Sequence, residues 1–219
     1  MWSSEVTGMI ITGIWETLYM TLVSTIVGYI IGLPMGIVLT ISDKDGIRPN
    51  AVIYKILDVI ANIVRSIPFI ILLVLLIPFT RLVVGKSYGS TATIVPLVIA
   101  AAPYIARMVE SSLKEVDAGV IEAARSMGAS DFTIITKVML VEARTSLLVG
   151  ATITLGTILG YSAMSGAVGG GGLGAIAIRY GYTRWQTDIM IVTVVLLIIL
   201  FQIFQTIGMK LADKFDHRK

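Results

Sequence analysis

Residues 121–142 read IEAARSMGASDFTIITKVMLVE, the longest amphipathic, charge-bearing interruption in a chain that is otherwise mostly apolar. Asp117 stands where it can cap a first short helix, and Gly128 where that helix would stop in the left-handed conformation. Ser130 or Asp131 can cap a second helix. Val120, Ile121, Ala124 and Met127 share one face of the first; Phe132, Ile135 and Met139 share one face of the second. The spacing predicts helix, glycine corner, helix over 117–142. Such a pair is too polar to cross a bilayer and too apolar on one side to be a solvated loop. An interfacial helix pair is the plainest account of it; a docking element is the other.

The flanking sequence is membrane-like. Of 219 residues, 56 % are hydrophobic and 14 % charged, with a mean hydropathy of +0.89, a composition of the polytopic membrane class. With no cysteine, disulfides and thiolate-held metals are excluded. The one histidine, His217, lies in a charged tail and reads as solvated; no metal site is expected. No basic patch interleaved with aromatics points to nucleic acid. No Lys or Arg precedes the first apolar run, which makes the N-terminus a poor signal peptide.

Five spans are expected, at about 17–41, 67–80, 93–109, 145–164 and 188–209, in one all-α membrane domain covering 1–219. In the first, Gly28, Gly32 and Gly36 recur every four residues and clear a groove for a neighbouring helix, while Pro34 predicts a kink. Residues 54–66 carry Lys55, Asp58, Asn62 and Arg65 on one face and read as an interfacial helix before the second span, with Asp58 paired to Arg65 and a bend at residues 66–68. The fourth span is rich in Gly, Ser and Thr, small groups that allow close packing and can solvate a substrate. Residues 165–174 (SGAVGGGGLG) read as a flexible linker. Gly85-Lys86-Ser87 is a near miss for a phosphate-binding loop, because Thr80 stands where the motif needs glycine and no strand precedes it.

Five spans put the termini on opposite sides, and Lys and Arg choose which. Lys44, Arg48 and Lys55, then Lys114, Arg125, Lys137 and Arg144, then Lys210, Lys214, Arg218 and Lys219 fall on one side, against Arg81, Lys86, Arg179 and Arg184 on the other. The excess places 117–142 and the C-terminus in the cytosol and the N-terminus outside. No carboxylate falls in the middle of an expected span, where ion-coupled carriers keep theirs. A chain with neither such a group nor a nucleotide motif can pump only with work supplied by a partner.

Glu122-Ala123-Ala124 followed by Gly128 resembles the EAA loop of bacterial ABC-importer permeases, and Arg65-Ser66-Ile67-Pro68-Phe69 resembles the Arg-x-x-Pro element of the amino-acid type. Residues 159–174 (LGYSAMSGAVGGGGLG) and 179–182 (RYGY), with 15–18 (WETL), 65–73 (RSIPFIILL) and 101–110 (AAPYIARMVE), are similar to the permease subunits of methionine ABC importers over nearly the whole chain. Val141 departs from the family's proline, and the polar run Arg144-Thr145-Ser146 from its more apolar, proline-containing entry to the fourth span.

The resemblance implies a multi-pass type I transmembrane subunit of the bacterial cytoplasmic (inner) membrane, surrounded by lipid and paired with a second copy of itself. It implies a cytosolic ABC ATPase dimer that uses ATP-Mg, and a substrate-binding lipoprotein that delivers methionine, L- or D-, from outside. The chain would then be no enzyme and bind no cofactor of its own. Glu122, Ala123, Ala124 and Gly128 are expected to carry ATPase docking. Tyr161, Ser162, Met164 and Ser165 are expected to line the outer half of the translocation pathway, with hydroxyls and backbone dipoles rather than fixed charges meeting a zwitterionic amino acid. The competing accounts are a passive channel or self-sufficient carrier, which would move solute without any ATPase, and a membrane scaffold.

Overall fold

The computed structural model describes residues 4–215; His217, Arg218 and Lys219, and so the end of the tail expected to be helix-like, lie outside the described residues. The described chain is all-helical. Four helices are long and apolar enough to cross a membrane, or five if one bent pair counts as a single span.

Helix α1 (Ser4–Ser42) starts well before the residue 17 expected, and runs unbroken through Pro34. Its 39 residues reach about 58 Å at 1.5 Å per residue. That is nearly twice a hydrocarbon core of about 30 Å, so the helix extends past the apolar layer or tilts strongly. α5 (Ser90–Lys114) lies along α1 and forms the main packed pair. Gly28, Gly32 and Gly36 are buried, and a Cβ on Gly32 would run into the Ala102 carbonyl and Ile105 of α5. The groove expected from their spacing is therefore filled from within the chain.

The second apolar stretch is broken rather than straight. α2 (Ala51–Ser66) is capped by Asn50, whose side chain accepts from the Val52 and Ile53 N–H groups. It meets α3 (Phe69–Leu75) at 101°, across Ile67 and Pro68. The missing N–H and fixed φ of Pro68 stop one helix and start the next. α4 (Ile77–Val84) follows after Leu76 and ends on Gly85 in the left-handed conformation, so Gly85-Lys86-Ser87 joins two helices.

Beyond α5 lie α6 (Ala118–Ser126), α7 (Asp131–Thr133), a π-helical segment Ile134–Met139 and α8 (Leu140–Glu142). α9 (Arg144–Ser165) is the next long helix. The hydroxyls of Thr152, Thr154 and Thr157 donate to carbonyls of their own helix at 2.8–3.0 Å, which satisfies them without a solute.

The segment 165–174 is not a flexible linker. It forms a 3₁₀ turn (Gly166–Val168) and enters α10 (Gly172–Ile176), with Gly172, Leu173 and Gly174 buried. The reason lies 156 residues away. The Glu16 carboxylate accepts the Gly172 N–H at 2.7 Å, and the Thr17 hydroxyl accepts the Leu173 N–H at 2.9 Å. Two side chains of α1 thus supply the cap that α10 lacks locally. Gly172 has φ +79°, and a Cβ there would meet Thr17 and Met20, so only glycine suits the position. A π segment, Ala177–Tyr182, leads to α11 (Thr187–Lys214).

Candidate functional site

Two regions are candidates for a functional site: the polar corner between α6 and α7, and a cleft beside the α2–α3 break. The corner forms as its sequence predicts. Asp117 caps α6 by accepting the Gly119 N–H at 2.7 Å, and Ser130 caps α7 by accepting the Thr133 N–H at 3.3 Å. Gly128 turns between them at φ +79°. There the Ala129 N–H reaches back to the Ala124 carbonyl and the Gly128 N–H to that of Arg125, which closes the helix end.

The inward face differs from the one expected. Ala124 is buried and Ile121 half-buried, but Met127 is 82 % exposed. On the second helix Met139 is buried and Ile135 half-buried as expected, but Phe132 is 75 % exposed and Ile134 is buried in its place. In a π-helix i→i+5 neighbours stack, so Ile134 and Met139 share a face that a 3.6-residue period separates. The outcome is an inner seam of Ala124, Ile134, Met139 and Ala143 in the core, and an outward tip carrying Met127 and Phe132. Glu122, Ala123 and Gly128 are exposed beside that tip, whereas Ala124 points into the chain's own core.

The corner is tied to the loop after α1. Arg48 pairs with Asp131, and Arg125 donates to the Ile47 carbonyl at 2.8 Å. That loop joins a chain of alternating charges running into the bundle. Asp43 pairs with Lys114 at 2.6 Å, Lys114 with Glu110 at 2.8 Å, Glu110 with Arg107 at 2.7 Å, and Arg107 with Asp58. Asn62 accepts from Arg107 at 3.0 Å, and the Tyr54 hydroxyl donates to Glu110 at 3.4 Å. Asp58 is therefore held by Arg107 of α5 and not by Arg65. Glu110 is buried and paired with two cations. The Lys114 ammonium beside Asp43 holds that carboxyl below its ordinary range.

The second region gathers Arg65 from the end of α2, Phe69 and Leu72 from α3, Ala100 and Tyr104 from α5, and Tyr161 from α9, around a cleft of about 170 Å³. Phe69 and Tyr161 stack with centroids 4.4 Å apart and planes 3° from parallel. Of the residues expected along a pathway, Tyr161 lines this cleft and Met164 is exposed. Ser162 and Ser165 are buried, and their hydroxyls donate to the Leu159 and Ser162 carbonyls at 2.8 and 2.6 Å. Arg65, Met127 and Phe132 are the residues that the sequence alone did not assign to a site.

Residues 28–218 match the family model described as binding-protein-dependent transport system inner membrane component. A Vibrio cholerae protein named "Probable D-methionine transport system permease protein MetI" is 48 % identical over 217 residues, covering 99 % of this chain and 96 % of its own. The Escherichia coli K12 protein named as the D-methionine transport system permease protein MetI is 50 % identical over 164 residues, covering 75 % of this chain and 76 % of its own. Among solved structures, an inward-facing form of the MetNI methionine ABC transporter superposes with TM-score 0.97 at 49 % identity, covering 99 % of this chain and 100 % of that one. An amino acid ABC transporter solved with histidines, 22 % identical with TM-score 0.73, shares the fold.

Proposed function

The chain belongs to the family of binding-protein-dependent transport system inner membrane components, and from that membership we propose that it is the permease subunit of an ATP-driven methionine importer. It is not itself the ATPase; in this family hydrolysis belongs to a separate subunit. The observation that carries the substrate is 48 % identity, essentially end to end, to a protein named for D-methionine transport. L- and D-methionine are both within the proposal.

The α6–α7 corner is the ATPase contact. An exposed apolar pair, Met127 and Phe132, at the tip of a well-capped and salt-bridged corner is a surface shaped to enter a partner's cleft. Glu122 and Ala123 flank it, Gly128 sets the angle, and Ala124 holds α6 to the core. Two ATPases engage two copies of the chain, because five helices make a thin wall for a pathway and a twofold pair encloses one. Tyr161, Ser162, Met164 and Ser165 border that pathway, the two aromatic and thioether side chains facing it and the two serines fixing the segment's shape. An extracytoplasmic binding lipoprotein delivers the substrate. The subunit sits in a bacterial inner membrane and crosses it five times, the α2–α3 bent pair counting as one crossing. The N-terminus lies outside and the C-terminus in the cytosol, an orientation supported by the Lys and Arg excess around α6–α8 and the tail.

Two measurements test this. In proteoliposomes holding the chain with its ATPase and binding protein, methionine uptake requires ATP; flux that persists without ATPase establishes the channel or carrier account instead. Because the chain lacks cysteine, Ala123→Cys provides a single exposed thiol. In right-side-out cells a membrane-impermeant maleimide labels it only after permeabilisation, and labelling of intact cells overturns the orientation and the docking assignment together.

A further inference from the structure

Arg65 is the one cation on the wall of the cleft beside the α2–α3 break. It makes no ion pair and no side-chain hydrogen bond with any described residue. Its side chain is exposed in the single chain, but the wall beside it lies well inside the long helices. Ala100 and Tyr104 occupy the middle of α5, and Tyr161 lies 17 residues beyond the start of α9, about 25 Å along that helix. A cation at such depth is costly and marks a solute path or a partner charge by default. Arg107, the other arginine set against α2, shows what the fold does with a structural one: it gives it two carboxylates. Arg65 has been given a cleft instead.

We infer that Arg65 is the carboxylate-binding residue of the translocation pathway, holding the α-carboxylate of an amino acid whose apolar side chain rests on the stacked Phe69 and Tyr161 rings. This deepens the import proposal and rests on it. A guanidinium grips a carboxylate through two parallel N–H···O bonds, which an ammonium cannot reproduce. The adjoining faces suit a thioether, whose polarizable sulfur packs well against aromatic rings. At about 170 Å³ the cleft is below the roughly 300 Å³ where drug-sized pockets begin, so it takes one small solute. On this assignment the pathway offers one fixed charge beside the hydroxyls and backbone dipoles expected of it.

The test uses the purified permease–ATPase complex without binding protein, with counts bound by the ATPase alone subtracted. Radiolabelled methionine is the probe, and unlabelled methionine or methionine methyl ester the competitor. In the wild-type complex the ester competes at least tenfold more weakly than methionine. Arg65→Gln weakens methionine binding at least tenfold and abolishes that preference, while Arg65→Lys restores part of both. Equal assembly with the ATPase and an equal melting temperature of the complex in detergent show that the variants are folded. Wild-type affinity in Arg65→Gln, or equal competition by ester and acid in the wild type, overturns the assignment. Failure of the import proposal is distinct: it is absence of ATP-dependent uptake by the wild-type protein.

Discussion

Phe132→Ala leaves the permease folded and lowers ATP-driven methionine uptake at least tenfold. The side chain is 75 % exposed, so truncating it removes almost no packing within the chain, and Ile134 and Met139 still hold the corner to the core. What it removes is area available to a partner. A phenylalanine can bury 150–250 Å², which at about 25 cal/mol per Å² is roughly 4–6 kcal/mol before ordering costs. Central apolar anchors lose at least about 2 kcal/mol on truncation, and about 1.4 kcal/mol is tenfold in affinity. The permease–ATPase dissociation constant should therefore rise about 30-fold or more, with an unchanged melting temperature for the permease in detergent. Met127→Ala, next to it at the tip, acts in the same direction. Wild-type uptake and ATPase retention in the Phe132→Ala, Met127→Ala double variant would remove the tip from the contact.

This tip also shows where sequence reasoning stops. The caps at Asp117 and Ser130 and the turn at Gly128 are local: each rests on a side chain and backbone groups within a few residues, and residue type alone implies them. The inward face is another matter. Assigning Phe132, Ile135 and Met139 to one face assumes 3.6 residues per turn, and the π segment Ile134–Met139 breaks that assumption without a sequence mark of its own. The long apolar helices are legible for the reason the caps are, since composition over twenty residues suffices. Contacts that join distant segments are not. Nothing near Gly172 announces that Glu16 and Thr17 will cap α10, so a glycine-rich run reads as loose. Nothing near Asp58 distinguishes Arg65, seven residues on, from Arg107, 49 residues on, as its partner. Helical spacing favoured the first; the close approach of α2 to α5 selected the second and left Arg65 to the cleft.

Because that approach is held by charge, the largest stability loss is expected at its centre. Glu110→Gln lowers the permease's stability by about 3 kcal/mol, the lower end of the cost of breaking a buried pair. The carboxylate is buried to 6 % side-chain exposure and shared by Arg107 and Lys114. Glutamine keeps the shape and can still meet the Tyr54 hydroxyl, but it removes the charge that two cations were placed around, and the Arg107 Nε is already buried without a partner. Arg107 keeps Asp58 and Lys114 keeps Asp43, which is why the lower end applies. Asp58→Asn and Asp43→Asn cost less, since their side chains are 30 % and 20 % exposed and each ends the chain of charges. Asp43 adds a sign that can be checked. Its carboxyl is held below the ordinary carboxylate value of 3.8, chiefly by its hydrogen bond to Lys114. Its contribution is therefore complete above that value and is lost only as pH falls through the lower, folded one. For a domain of this size about 3 kcal/mol is roughly 6–12 °C in melting temperature. Glu110→Gln with Arg107→Gln should lose less than the two single changes added together, because the second removes the cation that the first leaves underpaired. A Glu110→Gln protein melting within about 2 °C of wild type in detergent at pH 7 would mean that α2 is held to α5 by packing alone.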